Sequence, residues 1–250
     1  MKTFVCIDDT DSITCGSTGK LLARLIEIIE EKGWGHCSFI TRHQLYVHPD
    51  IPYTSHNSSM CFIIDLDEKH HASLIDYISD FLVHESEEGS DPGLCVAVPE
   101  RINNPELLIT FGQKAKKAVL TKSDAYELAK SLGIHLSEHG GTGQGVIGAL
   151  AGVGLRLSGN DGRFRGRLDL GEINEVLAVN KILQHKDVDL VRGLQGEMPD
   201  HDDFIRLGEK VKTVLSGGKS VLLVVPEDNA HETAGKTQWR TCSKEELRKF

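Results

Sequence analysis

The sequence predicts a mixed α+β (α/β) fold, and three observations carry that reading. Apolar strand runs alternate with helical stripes along the 250 residues. A content of 39% hydrophobic and 26% charged residues is ordinary for a globular protein. No apolar run approaches the roughly 20 residues needed to span a bilayer. No internal repeat or low-complexity segment interrupts the alternation.

Residues 3–7 (TFVCI) read as a buried strand. Apolar positions 21, 22, 25, 26, 28 and 29 form the stripe of a helix over 18–32, stopped by Gly33. A strand region follows at 36–47, then the proline-bounded loop from His48 to Tyr53. Residues 59–66 form a further strand and 70–85 a helix. The polar loop 87–93 leads into the short strand 94–98. Pro105 suits a first helical position. A second helix runs from Ser123 as N-cap to Gly133 as C-cap. The glycine-rich stretch 140–145 opens an apolar helix at 146–157; residues 172–183 are predicted helical and 220–225 a late strand. A domain boundary is expected near residue 130.

Net charge is −9 and pI about 5.7, whereas a chain that grips nucleic acid by itself usually carries a basic face. Short basic clusters at Lys114, Lys116, Lys117 and at Arg163, Arg165, Arg167 leave room for a local basic groove only. The six cysteines, at 6, 15, 37, 61, 95 and 242, form no C-x-x-C pair, which argues against a zinc ribbon. Cys6, Cys61 and Cys95 lie inside apolar runs and read as buried free thiols; Cys15 lies in a loop beside the acidic motif. No signal-peptide pattern precedes the first strand, so a cytoplasmic protein is expected. A homo-oligomer is compatible with this composition.

The chemistry concentrates at Asp8, Asp9 and Asp11, which follow the first strand. Carboxylates are hard oxygen ligands suited to magnesium, and a strand's C-terminal end opens on the crevice where α/β folds bind ligands. Magnesium there would bridge nucleotide phosphates during phosphoryl or nucleotidyl transfer. A plain turn of Asp, Thr and Ser is the competing reading, but a turn does not require three mutually repelling carboxylates. Thr10 and Ser12 belong to the same motif as cofactor-binding candidates. The loop Thr14-Cys-Gly-Ser-Thr-Gly-Lys20 then enters a helix, so Gly16, Ser17 and Lys20 are candidates for holding an anion. It fails the Walker pattern, with Thr14 in place of the first glycine and Leu21 after Lys20. A helix cap by Ser17 or Thr18 is the alternative.

A second loop, His139-Gly-Gly-Thr-Gly-Gln-Gly145, also precedes a helix. Gly141, Thr142, Gly143 and Gly145 let a backbone approach a ligand closely; a tight turn followed by a closely packed helix explains the same residues. In Gly159-Asn-Asp-Gly-Arg-Phe-Arg165, Asp161 and Arg163 are candidates for substrate contact. The run His135-Leu-Ser-Glu138-His139 matches the inverted zinc-peptidase pattern H-x-x-E-H. That chemistry needs both histidines on one helical face, and flanking glycines at 133, 140 and 141 oppose a helix there.

Four segments together resemble the archaeal tRNA-isoleucine 2-agmatinylcytidine synthetase family. They are Ile7-Asp-Asp-Thr-Asp-Ser12, Arg42-His-Gln-Leu-Tyr-Val-His-Pro-Asp-Ile-Pro-Tyr53, Asp91-Pro-Gly93 and Gly145-Val-Ile-Gly-Ala-Leu-Ala151, in the family's order over roughly residues 3–165. The resemblance implies ATP-dependent activation of a tRNA cytidine for attack by agmatine. It implies a kinase-like domain with a ferredoxin-like domain, assigned here to 1–130 and 131–250. It implies that Asp8, Asp9 and Asp11 serve magnesium and phosphate, and that Thr18 matches a threonine linked to phosphorylation. Asp50 and Tyr53 lie where a cationic amine would be recognised. The family's OB-fold and zinc ribbon have no counterpart here, which puts autonomous tRNA binding in doubt. The expected function is therefore an ATP- and magnesium-dependent synthetase or kinase-like enzyme acting on a nucleotide or small polar substrate. The alternatives are a non-catalytic nucleotide- or amine-binding module and a zinc hydrolase at His135 and His139.

Overall fold

The computed structural model describes residues 1–11, 17–51, 57–227, 238–248 and 250. The chain forms two compact units, Met1–Ser158 and Gly159–Phe250.

In the first unit, strand β1 (Lys2–Asp8) leads to helix α1 (Thr18–Glu31), strands β2 (Gly35–Cys37), β3 (Thr41–Gln44) and β4 (Ser58–Leu66), helix α2 (His71–Glu85) and strand β5 (Gly93–Ala97). Helices α3 (Pro105–Ala115) and α4 (Lys122–Leu132), strand β6 (His135–Glu138) and helix α5 (Gly145–Leu157) complete it. The sheet order is β6-β5-β1-β4-β3, antiparallel throughout, with β2 also on β4. Residues 2–97 thus run β1-α1-β2-β3-β4-α2-β5, with β4 between β1 and the pair β2 and β3, and β1 between β4 and β5, so that a third strand separates the strands flanking each helix in a split-βαβ order. The resemblance assigned a ferredoxin-like region to 131–250. Among the described residues of that range, β6 pairs with β5 and α5 packs on the first sheet, and the regular elements of the second unit are short strands and one four-residue helix. The expected boundary near residue 130 falls inside α4.

Side-chain alternation builds the layers. On one face Val5, Ile7, Phe62, Ile64, Leu94 and Val96 pack under α1 and α2. On the other, Phe4, Cys6, Cys61, Cys95 and Ala97 pack under α3, α4 and α5. Period-2 alternation with both faces covered explains why β1, β4 and β5 read as continuous apolar runs. The three strand cysteines are buried and free, and they stand in one row, with Cys6 the cross-strand partner of both Cys61 and Cys95. Burial above all, and then the neighbouring Cys61, push the Cys6 thiol well above its ordinary range. Cys15 lies outside the described residues.

Helix α4 is capped by Thr121, in a box with Asp124, and ends at Gly133 in the left-handed conformation. Its N-cap is therefore Thr121, not Ser123, whose hydroxyl donates to Glu127 at 2.9 Å. The strand region 36–47 resolves into β2 and β3, both on β4.

The second unit holds β7 (Arg163–Phe164), β8 (Val176–Ala178), the four-residue helix α6 (Val179–Ile182), β9 (Leu190–Gly193), β10 (Phe204–Arg206), β11 (Thr213–Ser216), β12 (Lys219–Pro226) and β13 (Gln238–Thr241). Strand β12 pairs with β11, β13 and β9, and β10 links β13 to β8. The predicted helix over 172–183 is thus mostly strand and turn. Asn174 has φ of 67°, which interrupts a right-handed helix, and Val176 and Leu177 pair with Arg206 and Ile205. Buried Trp239 donates its indole N–H to Asp203 at 3.0 Å. No helix among the described residues is long and apolar enough to cross a membrane.

Candidate functional site

Antiparallel pairing gathers chain ends at one edge of the first sheet. Asp8 ends β1 opposite Gly93, which begins β5; Gly93 in turn pairs with Glu138, the last residue of β6. Gln44, ending β3, pairs with Ser58, beginning β4. The loops leaving these ends surround a cavity of about 650 Å³. Its polar lining includes Asp8, Asp9, Asp11, Thr18, Thr142 and Gln144, and its apolar lining Leu45, Ile51, Met60, Val119, Leu120 and Ile147.

The carboxylates are held by the fold. Asp8 is buried beneath α5, where a Cβ at Gly148 would overlap its carboxylate, so helix and strand approach this closely only at glycine. Burial, reinforced by the charges of Asp9 and Asp11, raises the Asp8 carboxyl well above the usual carboxylate range. Asp9 has φ of 53°, left-handed for a non-glycine residue, as the chain turns out of β1. Burial, and then the charges of Asp91 and Asp11, push its carboxyl up to about 6. Thr18 is buried at the start of α1 and donates its hydroxyl to Asp11 at 3.4 Å.

Of the other sequence candidates, Ser17, Asp50 and Gly145 line the cavity. Ser17 is the N-cap of α1, with no side-chain cap bond. The Thr10 hydroxyl is buried without a hydrogen-bond partner, and Lys20 is exposed. Gly141 and Gly143 both have positive φ and flank Thr142. Asp161 and Arg163 are buried in the second unit. Ser12, Gly16 and Tyr53 lie outside the described residues. The H-x-x-E-H run lies on strand β6, not on a helix, and Ser137 sits 2.9 Å from the Nε2 atoms of both His135 and His139.

Three cavity or loop residues were missed as candidates. Arg42 lines the cavity, with its Nε donating to Ser58 at 2.9 Å. Asp91 accepts from both the backbone N–H and the hydroxyl of Thr142. Lys122, beside Thr142, donates to the Thr142 carbonyl at 2.7 Å and to Glu138 at 2.5 Å. The signal for Asp91 was its place in a Pro-Gly loop entering a strand. Arg42 opens one of the four family-like segments, whereas Lys122 had no signal, since only tertiary pairing brings it to the site.

A magnesium ion fits the donor set in a limited way. Asp8 is a buried carboxylate and Asp9 a half-buried one, and their ionised forms repel one another, which a hard cation would relieve. Among the described residues no three acidic, thiol or imidazole groups converge closely enough to hold an ion. The protein would supply one or two carboxylates, leaving the other positions to phosphate and water.

No model of a known protein family matches the chain. It is 31% identical over 162 residues to the tRNA-isoleucine 2-agmatinylcytidine synthetase TiaS of Archaeoglobus fulgidus, covering 63% of this chain and 36% of that protein. The crystal structure of TiaS in complex with its isoleucine tRNA and ATP shares 30% identity, with a TM-score of 0.54, over 62% of this chain and 36% of that one. The complex of TiaS with the same tRNA, AMPCPP and agmatine shares 29%, with a TM-score of 0.52, over 61% and 36%. The chain spans about a third of the length of these relatives. Across some three fifths of its own length, this chain is similar in sequence and fold to the TiaS synthetases.

Proposed function

We propose that the first unit is the catalytic centre of an ATP- and magnesium-dependent enzyme of phosphoryl or nucleotidyl transfer. It activates a nucleotide, free or within RNA, for attack by an amine. The observation that carries this reading is the cavity itself, whose lining combines the carboxylates of Asp8, Asp9 and Asp11 and the Thr18 hydroxyl with aliphatic side chains. A nucleotide has the matching polarity, a planar base for the aliphatic lining and a phosphate tail for the polar lining. The relationship to TiaS, solved with ATP and with AMPCPP and agmatine, supports the same class.

In this reading Asp8 and Asp9 hold magnesium, which when bound neutralises charge on the phosphates. Asp11 orients the Thr18 hydroxyl and accepts its proton. The left-handed turn at Asp9 fixes that carboxylate in place before ligand arrives. Val119 and Leu120 exclude water from one side of the ring. Asp50, on the cavity rim, offers a carboxylate to a cationic amine. The first 130 residues carry the nucleotide-binding part, and the loop 139–145 completes it.

The test is phosphorus NMR of ATP with magnesium, the protein and candidate amines or nucleotides. Turnover is expected in the wild type and absent in Asp9→Ala. Failure to bind nucleotide at millimolar ATP and magnesium would sink the reading. The competing reading is a module that binds without catalysing. It predicts thermal stabilisation by ligand with no AMP, ADP or pyrophosphate released.

A further inference from the structure

Thr142 is held on every backbone and side-chain polar group it has. Its N–H and hydroxyl both donate to Asp91, and its carbonyl accepts from Lys122 at 2.7 Å. Lys122 also donates to Glu138 at 2.5 Å, so α4 and β6 share the grip. The flanking glycines make it sterically possible. A Cβ at Gly141 would overlap the Asp91 carboxylate, and one at Gly143 would overlap Glu138 and come within 2.6 Å of the Lys122 Nζ. Both have positive φ. The Gly-Thr-Gly sequence is therefore a fitted socket, and its Thr142 amide is already committed to a carboxylate instead of open to an anion.

We infer that Asp91 and Lys122 are positioning residues that latch Thr142 and so set the glycine loop as a fixed wall of the ligand cavity. This rests on the ATP-site reading above. Both ends of the latch touch the site: Thr142 and Lys122 line the cavity, and Asp91 faces Asp9 closely enough to raise the Asp9 carboxyl. Charge-assisted hydrogen bonds of this kind are stronger than neutral ones, and two on one residue fix orientation as well as distance. The latch acts before chemistry, by holding the wall in its bound shape so that the ligand does not meet the cost of ordering it.

The experiment compares wild type with Asp91→Asn, Thr142→Val and Thr142→Ser by steady-state kinetics with ATP and magnesium, and by amide hydrogen exchange of residues 139–145. Asp91→Asn keeps the volume but loses the charge; Thr142→Val keeps the shape but loses the hydroxyl. Both are expected to raise the KM for ATP about tenfold with kcat within about threefold, and to speed exchange of the loop. Thr142→Ser, which keeps the hydroxyl, is expected to restore wild-type behaviour. A residue that merely supports folding would lower the melting temperature and the active fraction while leaving KM unchanged. Wild-type turnover with unchanged KM in both variants overturns the latch. If the wild type binds no nucleotide, the proposed function fails separately, and loop exchange that is the same in wild type and Asp91→Asn then overturns the latch by itself.

Discussion

At the scale of single residues, the site is defined by carboxylates kept where ionisation is costly. Asp9, raised from 3.8 to about 6 by burial and by Asp91 and Asp11, binds its proton more tightly in the folded chain than in the unfolded one. Its contribution to stability is therefore fully present below pH 3.8 and is lost as pH rises through about 6. Asp8 acts in the same direction. A bound cation opposes that loss. Magnesium with ATP is expected to raise the melting temperature clearly at about pH 7.5 and little at about pH 5, read by thermal shift; an equal rise at both would exclude these carboxylates as the coupling groups. Gly148 gives a second prediction. In an open helix, Gly→Ala gains up to about 1 kcal/mol. Here the added Cβ would overlap the Asp8 carboxylate and sit 3.1 Å from Leu45 Cδ1, and overpacking costs about 1–3 kcal/mol. Overlap outweighs propensity, so Gly148→Ala is expected to destabilise the protein in urea titration and to weaken ATP binding.

At the scale of elements, legibility followed length and burial. Strands β1, β4 and β5 were readable because both faces are covered and five to nine residues, mostly apolar, run together. Helix α1 was readable from its stripe, and α5 from its apolar run behind a glycine-rich stretch. Strand β6, HLSE, has no buried residue, and its role is set by pairing with β5 at the sheet edge. Strands β7 to β11 are two to four residues long, too short to display a period. The acidic motif was legible because its chemistry is contiguous. The socket around Thr142 was not, because Asp91, Lys122 and Glu138 come from three other elements. The cap of α4 offers a test of this scale. Thr121 makes the box with Asp124, so Thr121→Ala is expected to cost about 1 kcal/mol and to loosen Lys122, the next residue. Ser123→Ala is expected to stay within about 0.5 kcal/mol in the same denaturation assay.

At the scale of the whole molecule, charge divides unevenly. Residues 1–158 carry 13 Lys and Arg against 21 Asp and Glu, net −8; residues 159–250 carry 15 against 16, net −1. The excess negative charge therefore lies in the unit that bears the cavity. The second unit is nearly neutral, and several of its cations are already engaged: Arg206 with Glu227, Arg240 with Glu246, and Arg192 with Ser216. Binding of a polyanion draws on free cations, each phosphate neutralised adding to affinity and to its salt dependence. With net charges of −8 and −1, neither unit carries an excess of cations, although the TiaS relatives were solved with their isoleucine tRNA. The chain alone is expected to show no saturable binding of an isoleucine tRNA transcript at about 150 mM salt by fluorescence anisotropy, a concentration near physiological screening with a Debye length of about 8 Å. It is expected to bind ATP with magnesium under the same conditions. Sub-micromolar tRNA affinity at that salt would mean that a basic surface forms where the charge count gives none, and the substrate would then be a nucleotide within RNA instead of a free one.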